Sequence, residues 1–290
     1  MIIILFVCNS YFIRWSIYIF IIITVIAIVL YLSNAILTVS THKITSSKLS
    51  HPVRIAHISD FHNTRITLLV NAILQELRKR QPDFICITGD LVDSRHTDIP
   101  QAVEFVSKLA EIAPVYYVTG NHEIRSSRHD EIMAALYRSS MTVIEDEAYQ
   151  INGINLIGLN DFYGIPYSQR ASLFTQKYQA LKNDQLFNVV MFHRPEMLDA
   201  YSENGADLVL SGHAHGGQMR FPVVGAGYAP DQGFRPQLTE GLHQKGNTHL
   251  IVSRGIGNSL FPFRLNNQPE LIFIDLKPEK QVEEKGNRKL

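Results

Sequence analysis

Five short polar clusters, each set directly after an apolar run, hold the side chains best suited to binding metal ions. They are Asp60-Phe61-His62, Gly89-Asp90 with Asp93 just beyond, Gly120-Asn121-His122-Glu123, His193, and Gly212-His213-Ala214-His215-Gly216-Gly217. Asp60, His62, Asp90, Asn121, His193, His213 and His215 together offer carboxylate, amide and imidazole donors and no sulfur. Such a set suits borderline cations such as Mn²⁺, Zn²⁺ or Fe better than Ca²⁺ or Mg²⁺. It is larger than one tetrahedral zinc requires, and it suits two divalent ions sharing a carboxylate. Two ions about 3.5–4 Å apart clamp a phosphate and acidify a trapped water, which attacks in line as hydroxide.

Taken singly, each residue has a plainer reading. Asp60 is an ordinary helix cap, His62 an exposed turn residue, Asn121 a left-handed turn residue after Gly120, and His193 a loop residue before Arg194-Pro195. Asp93 reads as a structural or supporting carboxylate. Arg125, Arg128 and Arg254 read as solvated surface charge. His213 and His215 resist dismissal, because in an extended segment residues two apart face the same way and both imidazoles reach one centre. Coincidence at every cluster is improbable, so the metal reading prevails jointly.

The clusters need elements that bring them together. Val53–Ile58, Asp83–Ile87 and Pro114–Val118 read as strands, and Ile66–Arg80 and Ala102–Ala110 as helices, which is the pitch of parallel βαβ units. Ligands of open α/β sheets gather at the carboxyl edge, and Gly89-Asp90 stands just past the end of the Asp83–Ile87 strand. Further on, strands are expected at Thr142–Glu145, Tyr149–Ile151, Ile154–Leu159, Phe187–Phe192, Ala206–Leu210, Thr248–Ser253 and Glu270–Leu276. Ser168–Leu181 reads as a helix, Asn152-Gly153 as a type I′ hairpin turn, and 216–236 as an ordered loop over the site.

Lys+Arg 27 balance Asp+Glu 27 over 290 residues, so no basic surface invites nucleic acid. The two cysteines, Cys8 and Cys86, form no metal motif and no disulfide is expected. Trp15 to Thr41 holds no charged residue, longer than the ~20 residues a membrane-spanning helix needs. A cleaved signal is the rival reading, with Ser33-Asn34-Ala35 as its cleavage site, but signal cores run only about 7–15 residues. An uncleaved single-pass anchor over 1–39 is expected, then a polar tether over 40–52, a folded domain over 53–277 and a charged tail over 278–290. Arg14 lies on one side of the span and Lys43, Lys48 and Arg54 on the other, so the positive-inside rule does not fix the orientation.

The ordered set Asp-x-His, Gly-Asp-x-x-Asp, Gly-Asn-His-Glu, a lone His and Gly-His-x-His resembles the calcineurin-like metallophosphoesterase superfamily over nearly all of Val53–Leu276. That resemblance implies an α/β fold, an αββα sandwich of two mixed β-sheets flanked by helices, here preceded by a transmembrane helix. It implies that Asp60, His62, Asp90 and His215 hold one metal and Asp90, Asn121, His193 and His213 a second, with Mn²⁺ expected and Zn²⁺ or Fe as alternatives. His122 would then stand beside the leaving-group oxygen as the catalytic acid or charge stabiliser. Arg54–Asn63, Ala229–Gly233 and Ser253–Ser259 are similar to segments of membrane-anchored or exported bacterial members, some of which act on lipid-linked diphosphates. The expected location is the cell membrane, with the domain on the extracytoplasmic face, an orientation that the sequence itself leaves open. The expected activity is hydrolysis of a phosphodiester or diphosphate, with membrane lipid and a phosphoester substrate as partners. Phosphoprotein or phosphomonoester hydrolysis is the alternative, and a non-catalytic scaffold is disfavoured because no ligand position has been lost.

Overall fold

The computed structural model describes residues 2–259 and 261–279. The chain opens with a helix, α1 (Ile2–Ala35), whose segment Ile13–Ala35 is long and apolar enough to cross a membrane; within it only Asn34 and Ala35, at its end, are buried against the rest of the molecule. Two residues later the first strand begins.

A six-stranded sheet forms from β1 (Thr38–Ser46), β2 (Val53–Ile58), β3 (Phe84–Thr88), β4 (Val115–Val118), β5 (Thr142–Val143) and, from the far end of the chain, the strand Glu270–Pro278. The middle strands β2 to β5 run parallel and are linked through α2 (Thr67–Arg80), α3 (Ile99–Ala110) and the pair α4 (Asn121–Arg125) and α5 (His129–Tyr137). Helix boundaries follow local chemistry. The Asp98 side chain accepts from the Gln101 amide at 3.2 Å and Pro100 sits in the first turn of α3. Gln81, left-handed just before Pro82, ends α2 with its amide bonded to Leu77 O.

The tether expected over 40–52 is instead largely strand. β1 pairs in parallel with Glu270–Pro278 along its whole length, Thr38 opposite Glu270 and Ser46 opposite Pro278. Its polar, part-exposed face misled the local reading, since only Ile44 enters the core, and its partner lies more than 200 residues away.

A second six-stranded sheet contains β6 (Glu147–Ile151), β7 (Ile154–Gly158), β8 (Phe187–Met191), β9 (Leu208–Ser211), β14 (Gly241–Lys245) and β15 (Thr248–Val252). Between β7 and β9 come α6 (Tyr167–Leu181) and α7 (Leu198–Glu203). The 216–236 segment folds into two hairpins, β10 (Arg220–Phe221) with β11 (Gly225–Ala226) and β12 (Tyr228–Ala229) with β13 (Gly233–Phe234). Glu270–Pro278 is thus β16, last in sequence yet central in the first sheet, between β1 and β2. Asn152 and Gly153 both have positive φ, the type I′ geometry that joins β6 to β7.

Three apolar layers make four tiers, α/β/β/α. Ile55, Cys86, Val118, Leu156, Val189, Leu210 and Ile274 meet between the sheets. Leu69, Ile73, Phe105 and Leu136 cover the outer face of the first sheet, and Phe174, Tyr178 and Tyr201 that of the second. Side chains alternate across each strand, so β2 sends Ile55 inward and Ala56 and Ile58 outward. The short helices α4, α5 and α7 carry too few turns to register as periodic patterns. Of the tail expected over 278–290, residues 280–290 lie outside the described residues.

Candidate metal centre

The parallel strands of both sheets end at one edge, and the loops leaving them meet there. β2 delivers Asp60 and His62, β3 delivers Asp90, and β4 delivers Asn121 and His122. From the second sheet β8 delivers His193, and β9 delivers His213 and His215. All eight side chains are buried.

The two edges are stitched across the gap. The His213 amide donates to Asp60 Oδ2 at 3.2 Å, and His193 Nδ1 bonds Thr88 O at 2.7 Å. Close approach requires glycine. A Cβ on Gly212 would lie 1.8 Å from Ser59 Oγ, and one on Gly89, at φ +86°, 2.6 Å from Gly120 Cα. Asp60, His62, Asp90, His213 and His215 all take left-handed backbone. Asp, Asn and His tolerate that region better than other non-glycine residues, and such strain gathers at functional sites.

Donor atoms fall into groups. Asp60, His62 and His215 form one, with His62 Nε2 3.2 Å from His215 Nε2 and His215 Nε2 3.3 Å from Asp60 Oδ1. Asp90, His193 and His213 form another, with His193 Nε2 3.3 Å from Asp90 Oδ2 and 3.2 Å from His213 Nδ1. Asp90 Oδ2 stands between them, since it is also 3.6 Å from His62 Nε2. Asn121 Oδ1 is buried with no hydrogen-bond partner.

His213 and His215 therefore serve different groups, and strand alternation is not the cause. Ala214 is helical between two left-handed histidines, and residues 215–217 form a single 3₁₀ turn. The turn, rather than an extended segment, splays the two imidazoles.

Protonation suits cation binding. Asp90, working against burial, raises the His193 imidazole to about 10, so this ring must give up its Nε2 proton to ligate, while Thr88 O accepts from Nδ1 and keeps Nε2 facing the centre. His213 gives Nε2 to Asp231 Oδ2 at 3.0 Å and so turns Nδ1 inward. Burial pushes the His62 imidazole down to about 3, against the pull of Asp90, and also lowers His215 well below the ordinary value. Asp90 is buried, yet His193 and His122 beside it hold its carboxyl well below the usual range. Neutral imidazoles and ionised carboxylates are the ligating forms. Imidazole nitrogens that meet only one another or a carboxylate, beside the unpartnered amide oxygen of Asn121, are a donor set that fits a divalent cation centre.

His122 is oriented by the Ser94 amide, which donates to Nδ1 at 3.0 Å. Its Nε2 faces Ser259 Oγ at 3.2 Å and Arg125 Nη2. Both open on a cleft of about 920 Å³ lined by Asp90, Arg95 and Arg125 and by the aromatic rings of Tyr163, Tyr167, Tyr228 and Phe261.

Several residues here went unread in the sequence. Glu123 is fully buried and accepts three backbone amides, from Gly120 at 2.8 Å and from Asp90 and Val92 at 3.0 Å each, which ties the β3 and β4 loops together. Arg125, read as solvated, lies against His122. Arg194, given no role in the sequence, is buried among Asp161, Glu196 and Asp231. Arg128 does remain on the surface, paired with Glu131, and Arg254 pairs with Glu240 and Glu270 away from the centre. Asp93 lies 3.7 Å from His62 Nδ1 but is held by Arg95 at 2.7 Å. The Ala-Pro-Asp-Gln-Gly run held the only hint of Asp231.

A four-tiered α/β/β/α sandwich with this buried histidine–carboxylate cluster at its strand ends defines a metal-dependent phosphoester hydrolase. Residues 53–217 match the family model "Calcineurin-like phosphoesterase", and the chain belongs to that family. It is 30% identical to the "Uncharacterized metallophosphoesterase YkuE" of Bacillus subtilis, over 85% of this chain and 88% of that protein. It is 29% identical to "YkoQ" of the same organism, over 76% of this chain and 82% of that protein. It is also 29% identical to the "Phosphodiesterase YaeI" of Escherichia coli, over 78% of this chain and 82% of that protein.

Proposed function

We propose that the protein is a membrane-anchored phosphodiesterase or diphosphate hydrolase working with two divalent cations, Mn²⁺ in the first instance. Asp60, His62, Asp90 and His215 would hold one cation, and Asp90, Asn121, His193 and His213 the other. The observation that carries this reading is Asp90 Oδ2, 3.6 Å from a nitrogen of the first group and 3.3 Å from one of the second. When bound, the cations supply positive charge to the phosphoryl oxygens and acidify water at the site.

The remaining work falls to side chains of this chain. Arg125, whose Nη2 lies against His122 Nε2, would turn its guanidinium donors to an anionic phosphoryl oxygen in the cleft. With Nδ1 accepting from the Ser94 amide, Nε2 is the nitrogen that faces the cleft, and once substrate takes up the Arg125 donor it would carry the proton His122 delivers to the leaving oxygen. The tyrosine wall gives the second substituent of a diester an apolar surface to lie on, which a bare phosphomonoester would leave uncovered. The phosphodiesterase name of the Escherichia coli relative points the same way. Residues Ile13–Ala35 would cross the bilayer and set the domain on the extracytoplasmic face.

The test is hydrolysis of bis-p-nitrophenyl phosphate by the full chain in detergent, after chelation and re-addition of single metals. Turnover is expected to vanish with chelator and return best with Mn²⁺, with about two ions bound per chain. A chain inert with Mn²⁺, Zn²⁺, Fe²⁺ and Co²⁺, or one that hydrolyses only the monoester, would defeat the reading.

A further inference from the structure

We propose that the apolar rim formed by the β10–β11 hairpin and the loop around Phe261 and Phe263, which meets the cleft at Phe261, is itself a membrane-binding surface seated in the lipid interface beside α1. This deepens the preceding reading and rests on α1 crossing the bilayer.

Three features of the chain lead there. The first is the missing tether. Only Ile36 and Leu37 separate α1 from β1, and Thr38 already bonds Pro269 O at 2.8 Å. Asn34 and Ala35 are buried, and Asn34 Oδ1 accepts from Asn258 Nδ2 at 2.6 Å. The helix end is thus built into the domain, and the loop that starts at Asn258 stays next to the point where α1 leaves the hydrocarbon.

The second is a continuous path from that point to the rim. Asn258 Nδ2 also donates to Pro262 O at 3.1 Å, and Gln218 Nε2 donates to Phe261 O at 3.0 Å and Phe263 O at 2.9 Å. The Arg220 amide then bonds Leu265 O at 2.9 Å, which starts the β10–β11 hairpin. The fully buried Arg264 braces this loop from inside, through Asn258 Oδ1 at 3.0 Å and Arg254 O at 2.8 Å. The loop is therefore a fixed presentation.

The third is what is presented. Hairpin tips facing water favour Gly, Asn, Asp and Ser, yet this tip reads Pro222-Val223-Val224, with Val223 108% and Val224 54% exposed. Phe221, Phe261 and Phe263 are each nearly half exposed on the same connected loops. Contiguous exposed apolar side chains mark an interaction surface, and aromatic rings at a membrane boundary lie at headgroup depth. The adjoining membrane helix names the occupant as the bilayer. Because Phe261 belongs both to the rim and to the cleft wall, the cleft would open at the lipid interface. Its substrate would then be an amphiphile whose phosphoester is presented from the same leaflet.

The native chain has one tryptophan, Trp15, within α1, so its fluorescence in phosphatidylcholine–phosphatidylglycerol vesicles reports insertion of the anchor. In full-length Trp15→Phe protein, Val223→Trp and Phe263→Trp report the rim. Tyr137→Trp, exposed near β5 at the sheet edge opposite β1, serves as control. Brominated acyl chains are expected to remove most of the emission at 223 and 263 while iodide leaves it intact, and the control should show the reverse. Iodide quenching at 223 and 263 with Trp15 quenched by lipid overturns the rim proposal and spares the anchor. Trp15 untouched by brominated lipid overturns both. Shielding of 223 and 263 from iodide and lipid alike means a protein covers the rim, which also overturns it. Turnover of bis-p-nitrophenyl phosphate by each variant certifies that the site has folded.

Discussion

His213 Nε2 lies 3.0 Å from Asp231 Oδ2, and that single bond turns the other ring nitrogen toward His193. Asp231 is itself held by Arg194 and, at 3.2 Å, by Arg170. The carboxylate therefore transmits the rigidity of a buried charge network to a ligand side chain. Removing such a partner typically weakens metal affinity about 10–100-fold. Asp231→Ala should therefore weaken one of the two cations by that factor and leave the other. Competitive metal titration of the two proteins decides it, and equal affinities at both sites would remove Asp231 from this role.

His122 should separate chemistry from metal binding. His122→Ala is expected to keep its metal content and lose about 10²–10⁴-fold in turnover, the usual contribution of a positioned acid. Asp90→Ala should lose metal as well as activity, since both donor groups approach its Oδ2. Elemental analysis beside steady-state rates checks both, and a metal-free His122→Ala protein would reassign that residue.

Gly212 tests the stitching of the sheets. Gly212→Ala should cost about 1–3 kcal/mol by overpacking and lower metal content, because the new methyl would press on Ser59 and Asp60. Gly205→Ala is the control, with positive φ but open space around it. It should cost about 1–2 kcal/mol of backbone strain and retain metal. Denaturant unfolding with metal analysis distinguishes the two.

Ile44 tests whether residues 38–46 belong to the domain. It is 1% exposed and packs between the sheets, so Ile44→Ala should destabilise by about 2–5 kcal/mol. A shift in denaturation midpoint near zero would restore the tether.

Acid sensitivity should have one identifiable source away from the metal centre. Burial, helped by His42, pushes the His57 imidazole down to about 3 from an ordinary 6.5. The unfolded chain takes up that proton below pH 6.5 and the folded chain refuses it. Stability therefore falls with falling pH between those values, by on the order of 1 kcal/mol per unit. His57→Gln should flatten that slope relative to wild type in apo-protein unfolding curves. Parallel curves would show that His57 is not the source.

Much of the centre was legible because its residues recur in one local context, an apolar strand running out into a polar turn. Asp60, Asp90, Asn121, His193 and the His213–His215 pair each announce themselves in that way, and the family resemblance joins them into one site. Residue types and spacing also carried the parallel βαβ order and the apolar N-terminal span, since these depend on periodicity within a few turns of chain. Long-range pairing decided the rest. The pairing of β1 with β16 spans more than 200 residues, so a polar edge strand looked like a tether. The 3₁₀ turn after Ala214 sends His213 and His215 to different groups, and only the packing of β9 against β8 and the first sheet sets that geometry. Arg125 looked like surface charge, and Asp231 and Arg194 carried no assigned role, because a charge declares its role only when burial supplies its partner.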